Sequence, residues 1–363
     1  MKTYKKIPVG ILGATGMVGQ RFITLLQNNP WFEIKILAAS PRSAGKTYEN
    51  AISGRWMMSA SIPENIRNMK VLDVEKDAKQ IAQEVRIVFS AIDMTKESIK
   101  AIEEIYAGLG VAVISNNSAH RWTPDIPMII PEINSEHLEL IEIQRKNRGW
   151  DTGLIAVKPN CSIQSYVPAL EPLRKFGLEK IIVSTYQAIS GAGKDFQTWP
   201  EMIDNIIPFI SGEEQKSENE PLKIWGTIEK GILENTSSPI ISANCIRVPV
   251  LDGHMATVHV KLREKVNKED IIAAWRNFKN PLESLNLPSS PKEFLQYSEA
   301  ENRPQTRLDR DFGSGMGISI GRLREDIVLD WKFVSLSHNT IRGAAGGAIL
   351  IAELLVSKGY ISR

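Results

Sequence analysis

The stretch "GILGATGMVGQ", Gly10–Gln20, decides the fold. It joins an apolar run, "IPVGIL", to a helical pattern, "MVGQRFITLLQNN", through Gly13, Gly16 and Gly19. A glycine turn between strand and helix leaves backbone N–H groups at a helix start, where they can face a pyrophosphate. The spacing is G-x-x-G-x-x-G rather than the G-x-G-x-x-G of the dinucleotide fingerprint, so a tight turn without a ligand is the alternative. Outward from it, "FEIKILAA", "KVLDV", "VRIVFSA" and "GVAVIS" alternate with helical stretches such as "KESIKAIEEIYAGL". That alternation predicts an α/β fold with a doubly wound parallel sheet, a Rossmann-type dinucleotide-binding domain. A free ribose 2′-hydroxyl calls for an acidic residue at the end of the second strand, but "ILAASPRSAGK" offers Ser40, Arg42 and Ser43. Hydroxyls and a guanidinium suit a 2′-phosphate, which favours NADP over NAD; Arg42 as a solvated loop residue is the alternative.

A chain of 363 residues suggests two domains. With 44 basic against 42 acidic residues, no net field favours nucleic acid or an anionic membrane surface. Two cysteines without a C-x-x-C pattern argue against a disulfide scaffold or a zinc site. The start lacks a secretory apolar segment, and the longest apolar run, "GAILIAELLV", is interrupted by Glu353, so a cytoplasmic protein with no membrane span is expected. Beyond residue 161 the runs "EKIIVSTYQAIS", "NCIRVPVL", "MATVHVKL", "GISIGRL" and "DIVLDWKFVSL" predict a second, α+β domain with a mostly antiparallel sheet. Helices are expected over "FQTWPEMIDNIIPFI", "EPLKIWGTIEKGIL", "KEDIIAAWRNF" and the terminal "TIRGAAGGAILIAELLVSKGY". "SGEEQKSENE" and "LNLPSSPKEF" read as exposed connections.

In "KPNCSIQSYVPAL", Lys158–Leu170, Cys161 stands among Asn160, Ser162 and Gln164 rather than packing residues, at the start of an expected helix. A helix start lowers a thiol pKa, which points to a nucleophile; a buried core cysteine is the alternative. Five histidines compete as its proton partner. If "CIRVPVLDGHMATVHVKL" is a hairpin about Asp252–Gly253, Arg247 and His254 share a face, which selects His254 as acid/base and Arg247 as a carboxylate fork. Gln187 adjoins a Gly-rich bend, Glu220 precedes Lys223 by three residues, and Arg121 follows the fifth strand at the ligand-binding edge of an α/β sheet. A Glu/Lys pair at that spacing is also what an ordinary solvated helix face carries.

Together "GATGMVG", "KPNCS", "QAISGAG", "RVPVLDGH" and "HNTIRGAAGGA" resemble aspartate-β-semialdehyde dehydrogenase, in its archaeal and fungal-type branch. The resemblance spans essentially the whole chain. It implies NADPH-dependent reduction of β-aspartyl phosphate to aspartate β-semialdehyde with release of phosphate, on the route to lysine, threonine and methionine. Cys161 would form a thioacyl intermediate, Asn160 and Gln187 would orient it, and His254 would be the acid/base. Arg247 would hold the α-carboxylate, Glu220 the α-amino group, and Arg121 with Lys223 the phosphate. The cofactor set would comprise Gly13, Thr15, Gly16, Met17, Val18, Ser40, Arg42, Ser43, Ser90, Ser190, Gly191, Gly193 and Asn339. Residues 1–158 and 339–363 would form the cofactor domain and 159–338 the catalytic and dimerisation domain of a homodimer or homotetramer. A malonyl-CoA reductase, an N-acetyl-γ-glutamyl-phosphate reductase and a non-catalytic NADP-binding regulator are the rivals.

Overall fold

Six runs of the amino-terminal half become strands β1 (Ile7–Leu12), β2 (Phe32–Ala39), β3 (Val71–Asp73), β4 (Ile87–Ser90), β5 (Ala112–Ser115) and β6 (Leu154–Val157) in the computed structural model, which describes residues 5–362. All their pairings are parallel, in the order β3-β2-β1-β4-β5-β6. Strands β4, β5 and β6 are buried on both faces, the reason they read as unbroken apolar runs. Helix α1 (Met17–Leu26) turns Phe22, Ile23 and Leu26 inward, and α2 (Lys96–Gly108), capped by Thr95, turns in Ile99, Ile102 and Tyr106. Helix α3 (Leu140–Arg148) leads into β6. The order reverses between β1 and β4, the switch point where open α/β sheets bind ligands. Gly13 turns there at φ 83°, and a Cβ on it would lie 2.2 Å from the carbonyl oxygen of Ala91, so no other residue fits.

The second sheet holds β7 (Leu178–Gln187), β10 (Ile240–Arg247), β11 (His254–Leu262), β12 (Leu295–Ser298), β13 (Ile318–Glu325) and β14 (Trp331–Ser337), in the order β10-β7-β11-β14-β13-β12. It is mixed rather than mostly antiparallel, because β10 joins β7 and β12 joins β13 in parallel. The hairpin expected about Asp252–Gly253 does not form: β7 lies between β10 and β11. Residues 248–253 instead cross the end of β7, where Val248 N–H donates to the Gln187 carbonyl and Ile189 N–H to that of Val250.

Three expectations on helices change. The stretch 196–210 carries only a short 3₁₀ turn, Pro200–Met202, and leaves Ile203, Ile206 and Phe209 exposed. The supposed connection 211–220 is most of helix α4 (Glu213–Ile224), and 227–234 forms a small hairpin, β8 (Thr227–Glu229) with β9 (Ile232–Glu234). Helix α5 (Lys268–Arg276) forms as expected, opened by an Asn267/Asp270 capping box. The carboxyl-terminal helix α6 (Gly346–Ser357) packs its fully buried residues into the core of the first sheet. A second apolar core runs continuously from the other face of that sheet to Val258, Trp275 and Phe333 under the mixed sheet.

Candidate active site

Cys161 is half-buried in the turn after β6, and its Sγ lies 3.5 Å from Nε2 of His254. The helix expected after it is broken into a 3₁₀ turn, Ile163–Ser165, and a four-residue helical turn, Val167–Leu170, too short to present much of a dipole. Burial accordingly pushes the Cys161 thiol up, and the Glu213 carboxylate adds to this; Lys158, Arg121 and Arg247 pull the other way. The expected lowering by a helix start is not what the surroundings impose.

His254 is buried, with Nδ1 accepting the Ala188 N–H at 3.1 Å. That bond leaves the ring proton on Nε2, the nitrogen facing the sulfur. Burial and the Arg247 guanidinium hold its pKa well below the usual histidine range. Arg247 pairs in register with Gln187 at the end of β10, and the bend Ile189–Ala192 closes over both side chains: a Cβ on Gly191 would lie 3.0 Å from Arg247 Nη1 and 3.1 Å from His254 Nε2. The sequence pairing of Arg247 with His254 therefore holds for a different reason than a hairpin. Of its five donors Arg247 uses one, from Nη1 to the Ala188 carbonyl at 2.7 Å, so a fork remains for a carboxylate.

Asn160 is locked. Its Nδ2 donates to both oxygens of Glu213 at 2.9 and 3.0 Å, and its Oδ1 accepts from Ser162 N at 2.7 Å. Gln187 Nε2 donates to Glu213 Oε2 at 3.2 Å. Lys216 Nζ, three residues along α4, donates to Glu213 Oε1 at 2.8 Å. Glu213 thus sits at the centre of the cluster, and neither it nor Lys216 was singled out from the sequence.

Of the pair that was singled out, Glu220 lies beside the residue before Cys161 and Lys223 is turned to backbone carbonyls. Glu220 accepts Arg121 Nη1 at 2.8 Å and the Asn160 N–H at 2.6 Å. Lys223 sends its three donors to the carbonyls of Arg121, Thr123 and Ile126 at 2.6, 3.4 and 3.3 Å, and burial lowers its pKa to about 8. Arg121 keeps two donors beyond its bonds to Glu220, Lys158 O and Asn116 O. It lines a cavity of about 490 Å³ with Lys96, Lys216 and the half-exposed Trp122, which Lys223 does not line.

A separate cavity of about 490 Å³ opens at the switch point, lined by Gly13, Thr15, Gly16, Ser40, Arg42 and Ser43, with Lys46 and Arg55 adding two cations. Met17 and Val18 begin α1 beside it. Ser90 ends β4, its hydroxyl accepting from Asn117 Nδ2 at 3.1 Å. The other expected cofactor residues lie with the reactive pair: Asn339 Nδ2 donates to Ser190 Oγ at 2.8 Å, its Oδ1 accepts the Gly253 N–H at 2.7 Å, and Gly191 and Gly193 belong to the bend over His254.

The amino-terminal part of the chain, residues 8–141, matches the family model for the NAD-binding domain of semialdehyde dehydrogenase, and residues 170–342 match the model for the dimerisation domain. An aspartate-semialdehyde dehydrogenase of Archaeoglobus fulgidus is 44% identical over 355 residues, covering 97% of this chain and 99% of that one. The chain belongs to the aspartate-semialdehyde dehydrogenase family. Among solved structures of that family, the enzyme of Candida albicans with NADP superposes at a TM-score of 0.88, with 40% identity and coverage of 98% of this chain and 100% of that one. Aspartate semialdehyde dehydrogenase II of Vibrio cholerae, complexed with ASA, gives a TM-score of 0.74 at 28% identity, covering 97% and 99%. The family resemblance drawn from "KPNCS" and "RVPVLDGH" is thereby upheld, with relatives from both archaea and fungi.

Proposed function

We propose that the protein is an NADP-dependent aspartate-semialdehyde dehydrogenase, converting L-4-aspartyl phosphate reversibly to L-aspartate 4-semialdehyde and phosphate in lysine, threonine and methionine biosynthesis. The observation that carries this is the Cys161–His254 contact, with the Arg247 guanidinium beside His254 and the Arg121 charge reaching the sulfur. The Cys161 thiol loses its proton as Sγ attacks the acyl carbon, the C–O bond to phosphate breaks, and a thioacyl enzyme results while the proton leaves on the departing phosphate. Phosphate departs between the spare donors of Arg121 and the ammonium of Lys216. Arg247 grips the α-carboxylate, and Glu213, whose charge reaches the Cys161 sulfur, meets the α-amino group, while Glu220 holds Arg121. His254 Nε2–H meets the negative charge developing on sulfur and acyl oxygen, and its service as acid/base requires the Ala188 bond to Nδ1 to open. NADPH, when bound, supplies the hydride that reduces the thioester to the aldehyde.

Arg42, Lys46 and Arg55 beside the hydroxyls of Ser40 and Ser43 fit a 2′-phosphate, and β2 ends at Ala39 without a carboxylate. Residues 1–158 with 339–363 form the cofactor domain in this reading and 159–338 the catalytic one, residues 1–4 and 363 lying outside the described range. A homodimer or homotetramer is favoured by Ile182 and Ile240, exposed on adjoining strands of the mixed sheet. No helix among the described residues is long and apolar enough to cross a membrane, in keeping with a cytoplasmic site of action. The test is NADP reduction with aspartate semialdehyde, expected to require phosphate or arsenate. Efficient, phosphate-independent reduction of malonyl-CoA would overturn the assignment.

A further inference from the structure

Immediately behind the reactive cysteine runs a strap, His338–Gly347, that packs on Cys161 and bonds the residue before His254. Gly343 packs so closely that a Cβ on it would lie 2.9 Å from Cys161 Cβ. Four residues earlier, Asn339 accepts the N–H of Gly253, the residue before His254. The strap is not regular: Ile341–Ala345 forms a π turn, Ala344 departs from helical geometry at φ −142° and ψ −106°, and Gly343 N–H returns to the His338 carbonyl at 2.9 Å. Such turns cluster at functional sites and need outside restraint to persist.

Arg342 supplies a restraint. Nη1 and Nη2 each donate to one oxygen of Glu132 at 2.6 Å, Nε donates to Gln164 Oε1 at 3.0 Å, and the guanidinium stacks 4.8 Å from the Phe294 ring centroid. Glu132 belongs to the turn Pro131–Asn134, and Gln164 lies three residues after the cysteine. With about 1% of its surface exposed, Arg342 cannot reach substrate. Stability alone is a poor reason for such a pair, because apolar isosteres of a buried ion pair often do as well. A planar fork against carboxylate and amide does define position, which a flexible chain would not.

We propose that Arg342 is a positioning residue: its fork to Glu132 and its bond to Gln164 fix the strap, and the strap fixes the 3.5 Å separation of Cys161 Sγ and His254 Nε2. This rests on the reading of Cys161 and His254 as the reacting pair. A misplacement of about 1 Å can cost on the order of a hundredfold in rate. Loosening the strap also withdraws the Nε2–H donor from the sulfur, which makes the thiolate harder to form. Of the other charges facing the sulfur, Arg121, Arg247 and Glu213 are untouched; Lys158, whose stem lies against Gly347 of the strap and whose ammonium is opposed by the Arg342 charge, keeps that neighbouring cation in Arg342→Lys and Gln164→Met.

Two variants test it, Arg342→Lys and the apolar double variant Arg342→Met with Glu132→Leu, each assayed for fold by circular dichroism, for turnover, and for iodoacetamide labelling of Cys161 against pH. Turnover should fall roughly 10- to 100-fold, with KM for the aldehyde little changed. The labelling curve should move to higher pH, a shift that loss of stability alone does not produce. A folded double variant with wild-type turnover and an unmoved curve would overturn the proposal. Should neither variant fold, Gln164→Met, which removes a single bond, carries the test; it should show the same two shifts in smaller measure, and wild-type values for both would be equally decisive. Retained turnover in Cys161→Ala would sink the nucleophile assignment instead, while the labelling curve still reports on the strap.

Discussion

Lys216 and Lys223 stand at the same i, i+3 distance from a glutamate on one helix, yet their surroundings predict opposite kinds of failure. Lys216 is half-buried, lines the cavity beside Arg121, and uses one donor, to Glu213. Replacing it with Met removes one charge-assisted contact to a phosphate, about 1.5–3 kcal/mol, or roughly 10- to 100-fold in KM for phosphate. The lost pair with Glu213 is partly solvated and worth at most about 1 kcal/mol, so Tm should hardly move. Lys223→Met instead strips the donor from three backbone carbonyls that hold residues 121–126. The Thr123 carbonyl keeps the Ile126 N–H, but those of Arg121 and Ile126 are left without a donor at about 1–3 kcal/mol each, offset in part because an ammonium is no longer buried, for a net loss of about 1–3 kcal/mol. Tm should fall, and KM for phosphate should rise only as far as Arg121 is disturbed. Steady-state kinetics with phosphate varied at saturating aldehyde, beside thermal unfolding of both variants, makes the comparison. A Lys216→Met enzyme with unchanged KM for phosphate, next to a Lys223→Met enzyme of normal Tm and raised KM, would refute the reasoning.

Cys161→Ala should abolish turnover, while Cys245→Ala, whose buried sulfur meets the hydroxyls of Ser217, at 3.5 Å, and Thr185, should keep most of it; equal losses would contradict the nucleophile assignment. His254→Gln should lower kcat by about 10²- to 10⁴-fold, whereas Arg247→Lys should chiefly raise KM for the aldehyde, and an exchange of these patterns would refute the two roles. Arg42→Ala should weaken NADP by about 1–3 kcal/mol and leave NAD almost unchanged in fluorescence titration; equal use of both cofactors by the wild type would dismiss the 2′-phosphate site. Glu213→Gln removes a negative charge that holds the Cys161 thiol up, so its labelling curve should move to lower pH while KM for the amino-bearing substrate rises; a curve moved to higher pH would reverse the electrostatic assignment.

Which parts of the molecule were legible follows from where their signals lay. Strands such as "IVFS" and "AVIS" are buried on both faces of a parallel sheet and announce themselves by apolar content. Helix α4 did not, because its inward face is polar: Glu213, Ser217 and Glu220 are buried at helical spacing through hydrogen bonds, and hydropathy is blind to that. The stretch 196–210 misleads in the opposite sense, with apolar residues that face outward. Pairing of β10 with β7 in parallel is a contact between distant segments, so the local Asp-Gly signal suggested a hairpin that the crossing at 248–253 replaces. Cys161, His254 and Arg247 stood out by residue type and setting. Spacing alone could not rank Glu213 with Lys216 above Glu220 with Lys223, since both pairs are three apart and only partners in space distinguish them.

The same partners explain how a thiol pushed up by its surroundings can serve as a nucleophile. While Ala188 N–H donates into Nδ1, the His254 ring cannot be doubly protonated, so the resting pair is not a thiolate–imidazolium. Charge to support a thiolate must come from Lys158, Arg121 and Arg247, and Lys158, buried three residues before the cysteine, is itself brought down to about 7. Against them stands Glu213. A substrate whose ammonium pairs with Glu213 cancels that opposing charge at the moment its acyl carbon comes within reach, so thiolate formation is coupled to substrate occupancy. In the free enzyme the sulfur stays mostly protonated and poorly reactive toward stray electrophiles. A glutamate that depresses reactivity in the free enzyme can therefore still raise turnover, and for that reason Glu213→Gln should label more readily and work less well.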